Sequence, residues 1–153
     1  MKTVELYSDG SSRGNPGPGG YGTILRFTDS SGTVHEREYS GGFSVTTNNR
    51  MELLGCIVGL EHLKEPCRVT VYSDSQYLCR AFTDRWIEGW IRSDFKNRKN
   101  VALWKRLLAA MEGHEVTYNW IKGHNGHPEN ERCDRLATAA ADREGLPEDT
   151  LGD

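Results

Sequence analysis

Two six-residue stretches alternate apolar and polar positions and close on the same three letters: Val4-Glu-Leu-Tyr-Ser-Asp9 and Val69-Thr-Val-Tyr-Ser-Asp74. Period-two alternation of β-branched and aromatic residues predicts a half-buried strand in each. Tyr21–Phe27 and Thr33–Phe43 alternate in the same way on either side of the turn Asp29-Ser-Ser-Gly32, so strands one to three form an antiparallel meander. After the helix-start signal Thr46-Thr47-Asn48-Asn49 the period changes: Met51 to Leu63 carries apolar residues at 53, 54, 57 and 60. Pro66 ends that helix, and Arg68 to Asp74 is the fourth strand. A helix between two strands implies a right-handed crossover, which makes the fourth strand parallel to one already placed. The shared Tyr-Ser-Asp ending points to the first strand as its neighbour.

Helical sequence resumes at Ser75, passes through a Trp-rich lobe and continues from Asn100 to Met111. Glu115 to Ile121 reads as a fifth strand. Pro128, suited to a first helical turn, opens a last helix with apolar residues at 133, 136, 137, 140 and 141. The expected product is an α/β domain over residues 1–144 with a five-stranded mixed sheet. Residues 145–153, acidic and Pro-containing, are expected to fray as a flexible tail.

At 153 residues the chain fits one domain. No apolar stretch approaches the roughly 20 residues of a membrane span, and Met1-Lys-Thr-Val4 leads into strand-like sequence without a signal-peptide core. Cys56, Cys67, Cys79 and Cys133 lack CxxC spacing and read as reduced thiols of a cytoplasmic protein, with a Cys67–Cys79 pairing as the alternative. A monomer is expected, because no apolar surface stripe is left unassigned. The net charge of −3 conceals an asymmetry. Arg85 to Arg106 holds seven basic residues against Glu88 and Asp94, a local +5 that leaves −8 elsewhere. Such a lobe on an acidic body favours a polyanionic partner.

Strands one and four, if adjacent, bring Asp9 and Asp74 to one edge about 4.8 Å apart. Like charges that close call for a divalent cation, although either Asp alone could cap a turn. Glu52 follows Asn49 at capping-box spacing, or else joins the carboxylates at the start of its helix. Asp134, between Arg132 and Arg135, reads from spacing as a surface residue. The Gly-rich stretch from Gly10 to Gly20 could bring backbone amides close to a ligand. His124, in the loop Gly123-His-Asn-Gly-His127, has the chemistry to move protons beside a metal site. A zinc site from His124, His127 and Cys133 fits no common spacing. Trp86, Trp90, Phe95 and Trp104 interleave with basic residues: the rings pack between helices or join the contact of the surrounding basic groups, Lys99 among them, with a phosphate backbone.

Taken together, these residues resemble the ribonuclease H type 1 family. The resemblance rests on four motifs in order: Tyr7-Ser-Asp9-Gly-Ser11 with Gly14-Asn-Pro-Gly-Pro-Gly-Gly-Tyr-Gly22, Thr46-Thr-Asn-Asn-Arg-Met-Glu52-Leu, Ser73-Asp74-Ser-Gln-Tyr77, and Lys122-Gly-His124-Asn-Gly-His-Pro-Glu-Asn-Glu-Arg-Cys-Asp134. It implies the ribonuclease H-like fold, with strands four and five parallel to strand one. It also implies that Asp9, Glu52, Asp74 and Asp134 bind two Mg²⁺ ions, with Mn²⁺ as a substitute, and that His124 relays protons or assists product release. The implied activity is endonucleolytic hydrolysis of the RNA strand of an RNA–DNA hybrid, leaving 3′-hydroxyl and 5′-phosphate ends. A non-catalytic hybrid-binding module is the alternative. Gly10, Ser11, Asn15, Asn48, Asn49 and Gln76 match family positions that contact the minor groove, and Thr47 matches one that seats a DNA phosphate. The lobe is shorter than in well-known bacterial members, which leads us to expect weaker, more salt-sensitive hybrid binding.

Overall fold

The computed structural model of the chain describes residues 1–123 and 126–153. Its elements are β1 (Lys2–Ser12), β2 (Gly17–Thr28), β3 (Val34–Thr46), α1 (Asn48–Glu61), β4 (Cys67–Ser73), α2 (Gln76–Thr83), α3 (Trp86–Arg92), α4 (Val101–Met111), β5 (Glu115–Trp120) and α5 (Pro128–Ala141). The sheet runs β3-β2-β1-β4-β5. β1, β2 and β3 pair antiparallel, while β4 lies parallel to β1 and β5 parallel to β4. This is the mixed sheet that the alternating strands and the crossover helix predict.

Alternation along β1 assigns the two faces. Val4 and Leu6, with their register partners Val69 and Val71, are buried on the α1 side, where Leu6 packs at Gly59. Each such side chain contributes about 1.5–3 kcal/mol relative to exposure. Across the other face runs α5, seated on Gly20 and Gly22. A Cβ on Gly20 would stand 2.6 Å from the Ala137 carbonyl oxygen. Within the Gly-rich stretch, Gly20 therefore makes room for a helix and not for a ligand. β1 continues to Ser12, and β2 begins at Gly17.

Three further expectations are corrected. First, Thr47 is the N-cap of α1, its hydroxyl accepting from the Arg50 amide at 3.3 Å. Asn49 then lies inside the helix, so no Asn49–Glu52 capping box forms. Second, the helical sequence from Ser75 to Met111 is not continuous. Backbone reversals at Arg85, Asp94, Phe95, Asn97 and Asn100, all with φ between 52° and 61°, divide it into α2, α3 and α4.

Third, the tail expected to fray is hydrogen-bonded to the body. The Ser44 amide donates to the Pro147 carbonyl, the Ala102 amide donates to that of Asp153, and Leu151 packs against the core. The four cysteines are free and buried, so Cys67 and Cys79 are not paired. No helix among the described residues is long and apolar enough to cross a membrane.

Candidate active site

Tyr7 and Tyr72 are register partners in the parallel β1–β4 pair, and their rings stack 4.9 Å apart. Two residues beyond these tyrosines stand Asp9, within β1, and Asp74, just past the end of β4, so the register of the two strands brings their carboxylates to one edge. Glu52 arrives from α1. The first turn of that helix rests on Gly10, where a Cβ would come 2.5 Å from the Glu52 amide nitrogen. One carboxylate oxygen from each of Asp9, Glu52 and Asp74 lies within 4.8 Å of the others.

Three acids that close do not all ionise freely. Burial, then the charge of Asp74, pushes the Asp9 carboxyl up to about 8, against one hydrogen bond from the Gly10 amide at 2.9 Å. Burial, then Asp9 and Asp74, likewise holds Glu52 well above its ordinary range. Its Oε2 is buried and has no hydrogen-bond partner among the described residues. An orphaned carboxylate oxygen amid like charges is a costly arrangement unless a cation completes it. The donor set is all oxygen, which fits a hard ion such as Mg²⁺ or Mn²⁺. Asp134, half-buried on α5, stands outside the tight trio, yet its charge raises both Asp9 and Glu52.

Two supports of Asp74 carry no sequence signal. The Trp120 indole N–H donates to the Asp74 backbone carbonyl at 3.0 Å. Gly123 leaves room for the carboxylate itself, since a Cβ there would meet Asp74 Oδ2 at 2.7 Å. The proton-moving role expected of His124 lies outside the described residues. The zinc alternative is disfavoured at Cys133, whose thiol is wholly buried and pushed up by that burial, the reverse of a thiolate ligand.

The residues expected to meet a duplex fall into two groups. Gly10 and Ser11 lie near the end of β1, Asn48 and Asn49 open α1 behind the Thr47 cap, and Gln76 opens α2. The exposed Asn15 accepts the Asn48 amide through Oδ1 at 3.2 Å, tying the β1–β2 turn to the helix start. In the lobe, Trp86 is exposed beneath the Arg80 guanidinium at 4.6 Å, and Trp90 lies under that of Arg98 at 5.1 Å. Lys99 is exposed. Trp104 corrects its assignment: it is fully buried, meets Trp90 edge-on, and donates its N–H to the Tyr77 hydroxyl. It is a core residue that supports the lobe without reaching a ligand.

The fold is a five-stranded mixed sheet that gathers Asp9 and Asp74 at the ends of parallel strands beside Glu52 of α1, a site able to hold a divalent ion, and comparisons with known proteins give its class. The RNase H family model matches residues 1–142. A Ribonuclease H of Lachnoclostridium phytofermentans is 60% identical over 154 residues, covering 97% of this chain and 98% of its own. LC9-RNase H1, a type 1 RNase H with the type 2 active-site motif, superposes with a TM-score of 0.86 at 32% identity, covering 99% of this chain and 76% of that one. LC11-RNase H1, solved in complex with an RNA/DNA hybrid, matches with a TM-score of 0.65 at 24% identity, covering 92% and 97%. The chain belongs to the RNase H family, and with it to the nuclease hydrolases.

Proposed function

We propose that the chain hydrolyses the RNA strand of RNA–DNA hybrids, leaving 3′-hydroxyl and 5′-phosphate ends. The observation that carries this is the trio Asp9, Glu52 and Asp74, gathered at the edge where α1 and α2 present Asn48, Asn49 and Gln76. Asp9, Glu52, Asp74 and Asp134 are the residues that would hold two divalent ions. Bound there, the ions supply an activated water nucleophile and neutralise charge on the leaving 3′-oxygen.

The chain's own groups do the rest. Asn15, Asn48, Asn49 and Gln76 meet the minor groove, where 2′-hydroxyls distinguish the RNA strand. Such contacts read sugar and shape, so cleavage depends little on base sequence. Thr47 seats a DNA phosphate, and the basic lobe with Trp86 and Trp90 holds the backbone beyond it. His124 handles a proton at the departing product, in keeping with the family resemblance.

The test is cleavage of end-labelled hybrid beside duplex RNA, duplex DNA and single strands, with Mg²⁺ or EDTA, in wild type and Asp9→Asn. Cleavage of only the hybrid's RNA strand, lost with EDTA and in Asp9→Asn, is the expected result. Hybrid binding without cleavage by wild type in Mg²⁺ or Mn²⁺ would replace the nuclease with a binding module.

A further inference from the structure

Asp149, in the C-terminal tail, accepts four hydrogen bonds. Arg50 grips it with two, Nε to Oδ2 at 2.7 Å and Nη2 to Oδ1 at 2.9 Å. The Thr46 hydroxyl donates to Oδ2 at 2.7 Å, and the Leu151 amide donates to Oδ1 at 3.0 Å. The pair is nearly closed to solvent, with side chains 11% and 9% exposed. The network then continues. Arg50 Nη1 donates to Asn100 Oδ1 at 3.1 Å, and Asn100 Nδ2 donates to the Tyr77 hydroxyl at 3.1 Å.

Every body residue in this chain of bonds is the sequence neighbour of a residue assigned above to the duplex. Thr46 precedes Thr47, Arg50 follows Asn49, Asn100 follows Lys99, and Tyr77 follows Gln76. The first two contacts lie at the start of α1; Gln76, at the start of α2, and Lys99, just before α4, form the second row. We propose that Asp149 is a positioning residue, which fixes the spacing between these two rows of contacts and so presets the hybrid-binding face. This rests on the hybrid reading of the preceding subsection.

A bidentate guanidinium–carboxylate pair locks orientation as well as distance, which a single hydrogen bond does not. Free of Asp149, the Arg50 side chain would lose its anchor, and Asn100, held in a left-handed conformation at φ 58°, would lose one of its two side-chain partners' restraint. The two rows could then move independently, and the duplex would have to order them on binding. That cost falls on association and leaves the carboxylate trio intact.

The experiment is steady-state cleavage of a hybrid, well below each protein's melting temperature, by wild type, Asp149→Asn and Ile24→Val. Ile24 is wholly buried in β2, outside the network, and serves as a control for destabilisation without loss of the network. Asp149→Asn is expected to raise KM about three- to tenfold with kcat within about twofold of wild type, the signature of lost positioning without lost chemistry. Ile24→Val is expected to lower the melting temperature and leave KM in place. An unchanged KM in Asp149→Asn, or an equal rise in Ile24→Val, would overturn the positioning role while wild-type cleavage upheld the nuclease. A wild type inert toward the hybrid would overturn both.

Discussion

Gly10 and Glu52 are in contact through their backbones, so closely that the absence of a side chain on Gly10 is what admits the first turn of α1 to the sheet edge. A Cβ at position 10 would meet the Glu52 amide nitrogen at 2.5 Å and the Met51 carbonyl carbon at 2.6 Å. Neither is the yielding end of a flexible side chain. Gly10→Ala must push α1 outward, and Glu52 with it. Displacement of a catalytic group by around 1 Å costs about 100-fold in rate, so kcat is expected to fall by that order. Circular dichroism should show the helix content retained. A Gly10→Ala protein with near wild-type kcat would mean that Glu52 is not needed where the structure places it.

The carboxylate trio makes a prediction about stability without metal. An unfolded Asp ionises near 3.8, whereas folded Asp9 holds its proton up to about 8 because of burial and the Asp74 charge. Between those values the folded state binds more protons than the unfolded one, so stability falls as pH rises through the window. In EDTA the wild-type melting temperature should therefore decline from the acid to the alkaline side. Asp9→Asn should flatten that decline and melt higher near neutral pH. Mg²⁺ should raise the wild type more than Asp9→Asn. Parallel pH profiles for the two proteins in EDTA would show that the strain is not centred on Asp9.

How much of this was legible beforehand depended on how local each cause is. The Tyr-Ser-Asp endings of β1 and β4 report their own alternation, and register does the rest, so Asp9 and Asp74 could be paired without a structure. Glu52 was ambiguous because its place is set by a tertiary contact at Gly10, which no helix pattern encodes. Asp134 was invisible to spacing, being one charged residue among arginines on α5, and only the family resemblance singled it out. The tail failed for a related reason: Asp149 looks like solvated acid until its partners appear, 99 and 103 positions upstream. The breaks in the lobe are only partly legible: Asp94, Asn97 and Asn100 are residue types that tolerate left-handed turns, whereas Arg85 and Phe95 give no such sign.

The lobe's charge is available for testing one residue at a time. Some of its cations are already engaged within the fold, as Lys105 is with Asp94 at 3.7 Å. Lys99 is exposed and heads the turn into α4. If it neutralises one phosphate, Lys99→Ala should weaken hybrid binding on every sequence alike and reduce the slope of log affinity against log salt by about 1. kcat at saturating hybrid should be unaffected. Titrations of catalytically inactive Asp9→Asn with and without Lys99→Ala, at several salt concentrations, measure that slope directly. An unaltered slope would remove Lys99 from the phosphate contacts.

Arg85 offers a test of backbone strain in the same lobe. It precedes α3 with φ 61° and ψ 23°, and its side chain makes no capping hydrogen bond. The left-handed conformation costs an ordinary L-residue about 1–2 kcal/mol, and glycine returns part of that gain through its greater freedom when unfolded. The exposed ion pair to Glu88, at 4.0 Å, offsets almost nothing at such separation and exposure. Arg85→Gly is therefore expected to stabilise the fold by about 0.5–1 kcal/mol, read as a higher denaturant midpoint at unchanged slope. The same substitution removes a cation from the lobe, so the hybrid's KM should rise while stability does. Those opposite movements separate backbone relief from loss of binding. A lower midpoint would show that Arg85 stabilises the lobe through contacts that outweigh its strained backbone.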